Sequence, residues 1–143
     1  MSTEASSRAQ ALAALHAACF TTPRPWSAAE IAQLIGDRHC FLLETPGGFL
    51  LARQLLDEAE ILTLAVDPAA RRRGLGRALV ESFLSEASAR GTRRALLEVA
   101  ADNGPAIALY LSAGFEKTGR RPGYYRTPDG AVKDAEIMSK DLG

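Results

Sequence analysis

The stretch LTLAVDPAARRRGLGRALV, from Leu62 to Val80, restricts the possible folds more than any other part of the chain. It opens as an apolar strand and breaks at Asp67-Pro68. Three consecutive arginines follow, Arg71, Arg72 and Arg73, and Gly74-Leu75-Gly76 then lead into a pattern of helical period. Leu75, Leu79 and Phe83 form one stripe of that helix, which Ala78 and Leu84 widen, and Gly91 stops it. RRALLEVA beyond Gly91 is again a strand. A strand, a helix and a strand in this order predict a right-handed crossover between two parallel strands.

The flanking segments complete the order of elements. Thr3 to Ala18 reads as a helix, with Leu12, Leu15 and Cys19 at helical spacing. Ser27-Ala28-Ala29-Glu30 has the form of a capping box, and Ile31, Leu34 and Ile35 give the short helix after it a buried side that Gly36 ends. CFLLE, FLLARQLL and ILTLAV, separated by TPGG and DEAE, predict an antiparallel meander. NGPAIALYLSA is a helix with Gly114 past its end, GFEKTG begins a strand, and DAEIMSK is the closing one. The order is α-α-β-β-β-α-β-α-β-β. It predicts a mixed α/β fold, a sheet with helices on both faces.

At 143 residues, with no repeat and no linker-like shift in composition, residues 1–143 are expected to form a single domain. A hydrophobic content of 47% with 24% charged residues belongs to a globular chain and excludes a disordered one. The formal net charge is zero, so composition offers nothing to a nucleic acid. Cys19 and Cys40 have no metal-site spacing and form no disulfide framework, which fits a reducing compartment. The alanine-rich start lacks the basic and apolar regions of a secretory signal. No run approaches the roughly twenty apolar residues that span a bilayer. These features predict a cytoplasmic protein that works without a membrane or a metal.

A strand that turns through glycines into a helix gathers unpaired amides at the positive end of the helix dipole, which suits a phosphate. Glycines let phosphate oxygens approach the backbone, and arginines at the rim add forked donors. A tight turn with a solvated basic rim explains the same residues. No Gly-Lys-Ser/Thr follows, and the turn does not match the dinucleotide fingerprint, which needs three glycines and an acid at the next strand's end. The ligand implied is neither a plain nucleoside triphosphate nor a nicotinamide dinucleotide.

LAVDPAARRRGLGRALV and LLEVAADNGPAIALYLSAGF together resemble the two signatures of the GNAT acetyltransferase superfamily. Within it, RPWS, DEAEILTLAVDP and the ending GRRPGYYRTPDGAVKDAEIM resemble the bacterial enzymes that acetylate the N-terminal alanine of a ribosomal protein. The resemblance implies a mostly antiparallel sheet with a splayed parallel central pair, and acetyl-CoA as co-substrate. Its pyrophosphate would lie on Arg72, Arg73, Gly74, Leu75, Gly76 and Arg77, with Arg71 at the edge. Its pantetheine would pair with the backbone of Leu64, Ala65 and Val66, and Asn103 would make a further contact. RRPGYY is one residue longer than the family's pattern, in the loop that faces the acceptor.

Acetyl transfer to an amine needs the amine neutral, whereas an α-amine, with a pKa of about 7.7–8.0, is mostly protonated at neutral pH. Glu98 stands in an otherwise apolar strand on the face of Leu96 and Ala100. Such a carboxylate is exposed at an opening of the sheet, paired with an arginine, or at work as a base; the resemblance implies the last. Tyr110 follows Asn103 by two helical turns and is either a core aromatic or, as the resemblance implies, the acid that protonates the leaving thiolate. Transfer would then be direct, within a ternary complex, with Cys19 and Cys40 as small core residues. His16 and His39 lie outside the signatures and are assigned surface or helix roles. Trp26, Tyr124 and Tyr125 line an acceptor groove or pack in the core. Asp57, Glu58 and Glu60 form a solvated hairpin turn or attract a basic peptide tail.

The expected acceptor is a protein N-terminus, that of a ribosomal protein beginning with alanine, and the expected state is a monomer. A GNAT enzyme acting on a small amine or a lysine side chain, or a CoA-binding sensor without turnover, are the other readings.

Overall fold

The computed structural model describes residues 3–19, 27–70 and 74–143. Trp26, Arg71, Arg72 and Arg73 lie outside the described residues, as does the side chain of Cys19. The elements are α1 (Thr3–Cys19), α2 (Ala28–Ile35), β1 (Cys40–Thr45), β2 (Gly48–Leu55), β3 (Glu58–Val66), α3 (Leu75–Ala89), β4 (Arg94–Ala100), α4 (Gly104–Ser112), β5 (Glu116–Arg126) and β6 (Val132–Asp141), with a 3-10 turn at Pro68–Ala70. Their order is the one the sequence predicts.

The local reasons are those of the sequence. Glu30 donates its amide to the Ser27 hydroxyl at 3.1 Å, and Ser27 returns its own amide to the Glu30 carboxylate at 3.1 Å, closing the capping box. Gly91 and Gly114 end α3 and α4 at φ +84° and +97°, where a side chain would be strained. The hairpin after β2 is tighter than expected. Leu56 and Asp57 make the turn, and Glu58 and Glu60 belong to β3. Glu60 lies opposite Arg53 and bonds it at 3.2 Å, so a cross-strand ion pair lets the strand carry acidic residues. β5 is longer than GFEKTG suggests and runs to Arg126 through Pro122. Its ladder with β6 is interrupted between Arg121 and Tyr125, and β5 is an edge strand, so the missing proline donor is tolerated.

The strands form one sheet in the order β1-β2-β3-β4-β6-β5. Every neighbouring pair is antiparallel except β3 and β4, which run parallel. Helices cover both faces. On one, Leu79, Val80, Phe83 and Ala87 of α3, Ile107 and Tyr110 of α4 and Ala113 at its C-cap pack on Leu50, Ala52, Ile61, Leu97 and Met138. On the other, Ala9 and Leu12 of α1 and Ile31 of α2 pack on Phe49, Leu51 and Ala65. The alternation of Phe49 and Leu51 with Leu50 and Ala52 explains why β2 is buried on both sides.

Candidate functional site

The site begins with a one-residue irregularity. Across β2, Ala52 pairs with Ile61 and Leu51 with Thr63, so Leu62 is the extra residue of a β-bulge. The bulge bends β3 and reverses its faces. Ala59 and Ile61 belong to the core under α3, whereas Ala65 belongs to the core under α1. The ladder between β3 and β4 ends at the same place. It runs only from Glu58 opposite Arg94 to Ile61 opposite Leu97. Beyond that pair β4 stays with β6 and β3 stays with β2, and the two strands part.

The gap is a cleft walled by Ile61 to Leu64 of β3 and by Leu97 to Ala100 of β4, with Asn103, Ala106, Tyr110 and Tyr125 around it. Its volume is about 130 Å³. A pocket that swallows a whole ligand holds roughly 300–1,000 Å³, so this one fits a thin arm and a reacting group. Leu64 is at the cleft, and Ala65 and Val66 continue the stretch of β3 that the β4 ladder does not reach.

Glu98 projects to the face opposite Ala95, Leu97 and Val99, as the alternation of β4 requires, and lines the cleft. Its side chain keeps 22% exposure and accepts a hydrogen bond from Arg121 Nη1 at 2.8 Å. Arg121 also lies over the Tyr124 ring, with Cζ 4.0 Å from its centroid. Tyr124 meets Tyr125 edge to face at 4.9 Å. Burial, with the nearby charge of Glu98, pushes the Tyr125 phenol up to about 12. Two of the options open for Glu98, an opening in the sheet and an arginine partner, hold together.

Tyr110 reaches the cleft from α4 and is otherwise enclosed, with 7% exposure and an edge-to-face contact to Phe115 at 5.9 Å. Burial, with a smaller contribution from Tyr125, holds its phenol protonated well above the ordinary range. Its hydroxyl donates to none of the described residues. Asn103 caps α4, its Oδ1 accepting the Ala106 amide at 3.2 Å, and also lines the cleft.

Gly74 caps α3 with φ +74°, and a Cβ built on it would meet nothing within 4 Å. The Ala78 amide bonds the Gly74 carbonyl at 3.0 Å. The amides of Leu75, Gly76 and Arg77 have no helical partner among the described residues. Gly76 serves a different purpose: a Cβ there would come within 3.2 Å of Leu109, so its smallness lets α3 and α4 approach. The Arg77 guanidinium is engaged, donating to Glu81 and to Ser112, each at 2.9 Å. Only its backbone amide faces the same way as those of Leu75 and Gly76.

Two residues of this neighbourhood escaped sequence reasoning. His16 is no surface residue: it is 1% exposed on α1 and bonds the Thr63 hydroxyl at 2.9 Å, directly behind the cleft. Its spacing from Ala9 and Leu12 places it on the buried stripe, a signal that polarity obscured. Arg121 is one of fourteen arginines, and only the fold selects it as the partner of Glu98. Cys40 lies on the edge strand β1, where burial and Asp37 push its thiol up, an unsuitable nucleophile.

Comparison with known proteins gives the family and the fold. Residues 9–115 match the model of the Acetyltransferase (GNAT) family. The [Ribosomal protein bS18]-alanine N-acetyltransferase of Escherichia coli K12 is 43% identical over 119 residues, 80% of this chain and 80% of its own length. N-alpha-acetyltransferase RimI of Mycobacterium tuberculosis is 38% identical over 144 residues, 94% of this chain and 87% of its own. The crystal structure of the ribosomal-protein-S18-alanine N-acetyltransferase from Escherichia coli superposes with a TM-score of 0.86 at 33% identity, covering 100% of this chain and 91% of that one. The chain therefore belongs to the GNAT acetyltransferase family.

Proposed function

We propose that the protein transfers the acetyl group of acetyl-CoA to the N-terminal α-amine of a protein, a ribosomal protein with N-terminal alanine. The observation that carries this reading is a carboxylate and a protonated phenol on one narrow cleft, Glu98 from β4 and Tyr110 from α4. The names of the two relatives, one acting on an alanine N-terminus and one an N-alpha-acetyltransferase, supply the acceptor class.

The fit to acetyl-CoA is supported by Gly74, where a Cβ would meet none of the described residues within 4 Å, and by the first amides of α3, which have no partner among the described residues. In this reading Leu75, Gly76 and Arg77 hold the pyrophosphate through their backbone N–H groups, with Gly74 leaving room and Arg72 and Arg73 adding charge. Leu64, Ala65 and Val66 align the pantetheine arm as an added strand, and Asn103 borders it. The co-substrate supplies an activated acetyl group as a thioester.

Glu98 takes a proton from the acceptor ammonium, directly or through a water, and leaves a neutral amine to attack the thioester carbon. A C–N bond forms, the C–S bond breaks, and the new amide nitrogen sheds its second proton, which restores the phenol once Tyr110 has protonated the sulfur. Tyr110 delivers its proton to the departing sulfur, which its raised phenol pKa keeps available across the working pH range. Transfer is direct. The whole of residues 1–143 acts as one domain and as a monomer, in the cytoplasm and without a metal.

The test is a panel of an Ala-initiated basic peptide, unrelated peptides and small amines with acetyl-CoA, read by thiol release and by mass to place the acetyl group. Acetylation of the alanine nitrogen is the expected result. Turnover confined to small amines or lysine side chains would replace this acceptor. Tight CoA binding with no acetylated amine would make the protein a sensor.

A further inference from the structure

The candidate base already holds a cation. Arg121 binds Glu98 at 2.8 Å, at the cleft where an acceptor's ammonium must arrive for Glu98 to take its proton. The segment carrying Arg121 is a built feature. The β5–β6 ladder breaks between Arg121 and Tyr125, and the break is pinned from β6. Asp134 accepts the Gly123 amide at 2.8 Å and Arg120 Nε at 2.9 Å, and Arg120 also bonds Glu136 at 3.3 Å. Gly123 turns the chain at φ +63°. Arg120 is thereby drawn to β6, while Arg121 is turned to Glu98 and rests on Tyr124.

We propose that Arg121 is the resident cation of the acceptor subsite, a selectivity-determining residue that each acceptor amine must displace from Glu98. The inference rests on the acetyl-transfer reading of the cleft. Exchanging one cation for another keeps the Glu98 charge compensated before and after the acceptor enters, so neither state buries it alone. The Arg121 side chain is 49% exposed, so the pair is weak enough to open, and Tyr124 offers the guanidinium a face to rest on when Glu98 is taken. A positively charged amine competes for Glu98 on these terms; an uncharged acceptor gains nothing that displaces Arg121.

The experiment compares wild type, Arg121→Gln and Arg121→Lys at saturating acetyl-CoA with an Ala-initiated basic peptide. Arg121→Gln should lower the acceptor KM by about fivefold at low salt, the size set by an exposed ion pair, and leave the KM for acetyl-CoA in place. Arg121→Lys should restore the wild-type acceptor KM. An acceptor KM that rises or stays put in Arg121→Gln would overturn the proposal. A second readout needs no turnover: the Arg121 Nε–H resonance of the wild-type protein should shift and exchange faster as the peptide, or methylammonium, is added. An unmoved resonance would also overturn it. If wild type acetylates no amine, the functional reading falls, and the resonance still decides whether a cation displaces Arg121.

Discussion

His16 makes the protein's stability depend on pH in a calculable way. Its imidazole is buried on α1 and bonded to Thr63, and desolvation lowers its pKa from 6.5 to about 4, with Glu30 opposing weakly. Because the folded value lies below the unfolded one, the unfolded chain binds the extra proton first as pH falls. Stability is therefore complete above about pH 7, falls through 6.5, and stops falling below about 4. The shift corresponds to about 3 kcal/mol in full, of which about 2 kcal/mol is lost between pH 7.5 and 5. Urea unfolding of wild type and His16→Gln at half-unit steps over that range isolates the contribution, since all other titrations cancel in the difference. The wild-type advantage should shrink by about 2 kcal/mol towards acid. Parallel curves for the two proteins would mean that His16 is protonated in the fold or open to water, and would refute the argument. The same series followed by acetyl transfer tests the link to function, since Thr63 stands next to the bulge at Leu62.

Glu98→Gln should slow transfer by about 100-fold near neutral pH and by less in alkali, where the amine loses its proton unaided; an equal loss at every pH would count against the base. Tyr110→Phe should reduce kcat by about 100-fold with little change in unfolding free energy, because the hydroxyl has no partner among the described residues to lose; unchanged turnover would remove the acid. Gly74→Ala should cost about 1 kcal/mol in stability from its positive φ, since its Cβ would clash with none of the described residues, and should raise the KM for acetyl-CoA. An unchanged KM there would separate the glycine turn from the co-substrate.

Much of the architecture was legible because it is local. Hydrophobic period, the capping box at Ser27 and the glycines at 91 and 114 mark the elements wherever they come to lie, and a strand–helix–strand passage leaves few topologies. The positions of Glu98, Asn103 and Tyr110 follow from the same periods, one carboxylate on the polar side of a strand and two residues two turns apart on a helix. The short Leu56-Asp57 turn was not legible, since Glu58 and Glu60 look like loop residues until Arg53 and Arg94 stand beside them.

What the sequence by itself determined is the list of elements, the parallel pair at the centre and the chemistry available along it. What only the tertiary structure decided is where that chemistry meets. The bulge at Leu62, which opens the cleft, depends on the register of β3 against β2, and nothing in Ile61-Leu62-Thr63 announces it. The burial of His16 depends on Thr63, forty-seven residues away in the chain. Arg121 becomes the partner of Glu98 through the break in β5 that Asp134 pins from β6. Spacing along a chain specifies which face a residue takes, because helices and strands repeat. Contacts between distant segments depend on register and bulges, which one residue can shift, and they exist only once the sheet has closed.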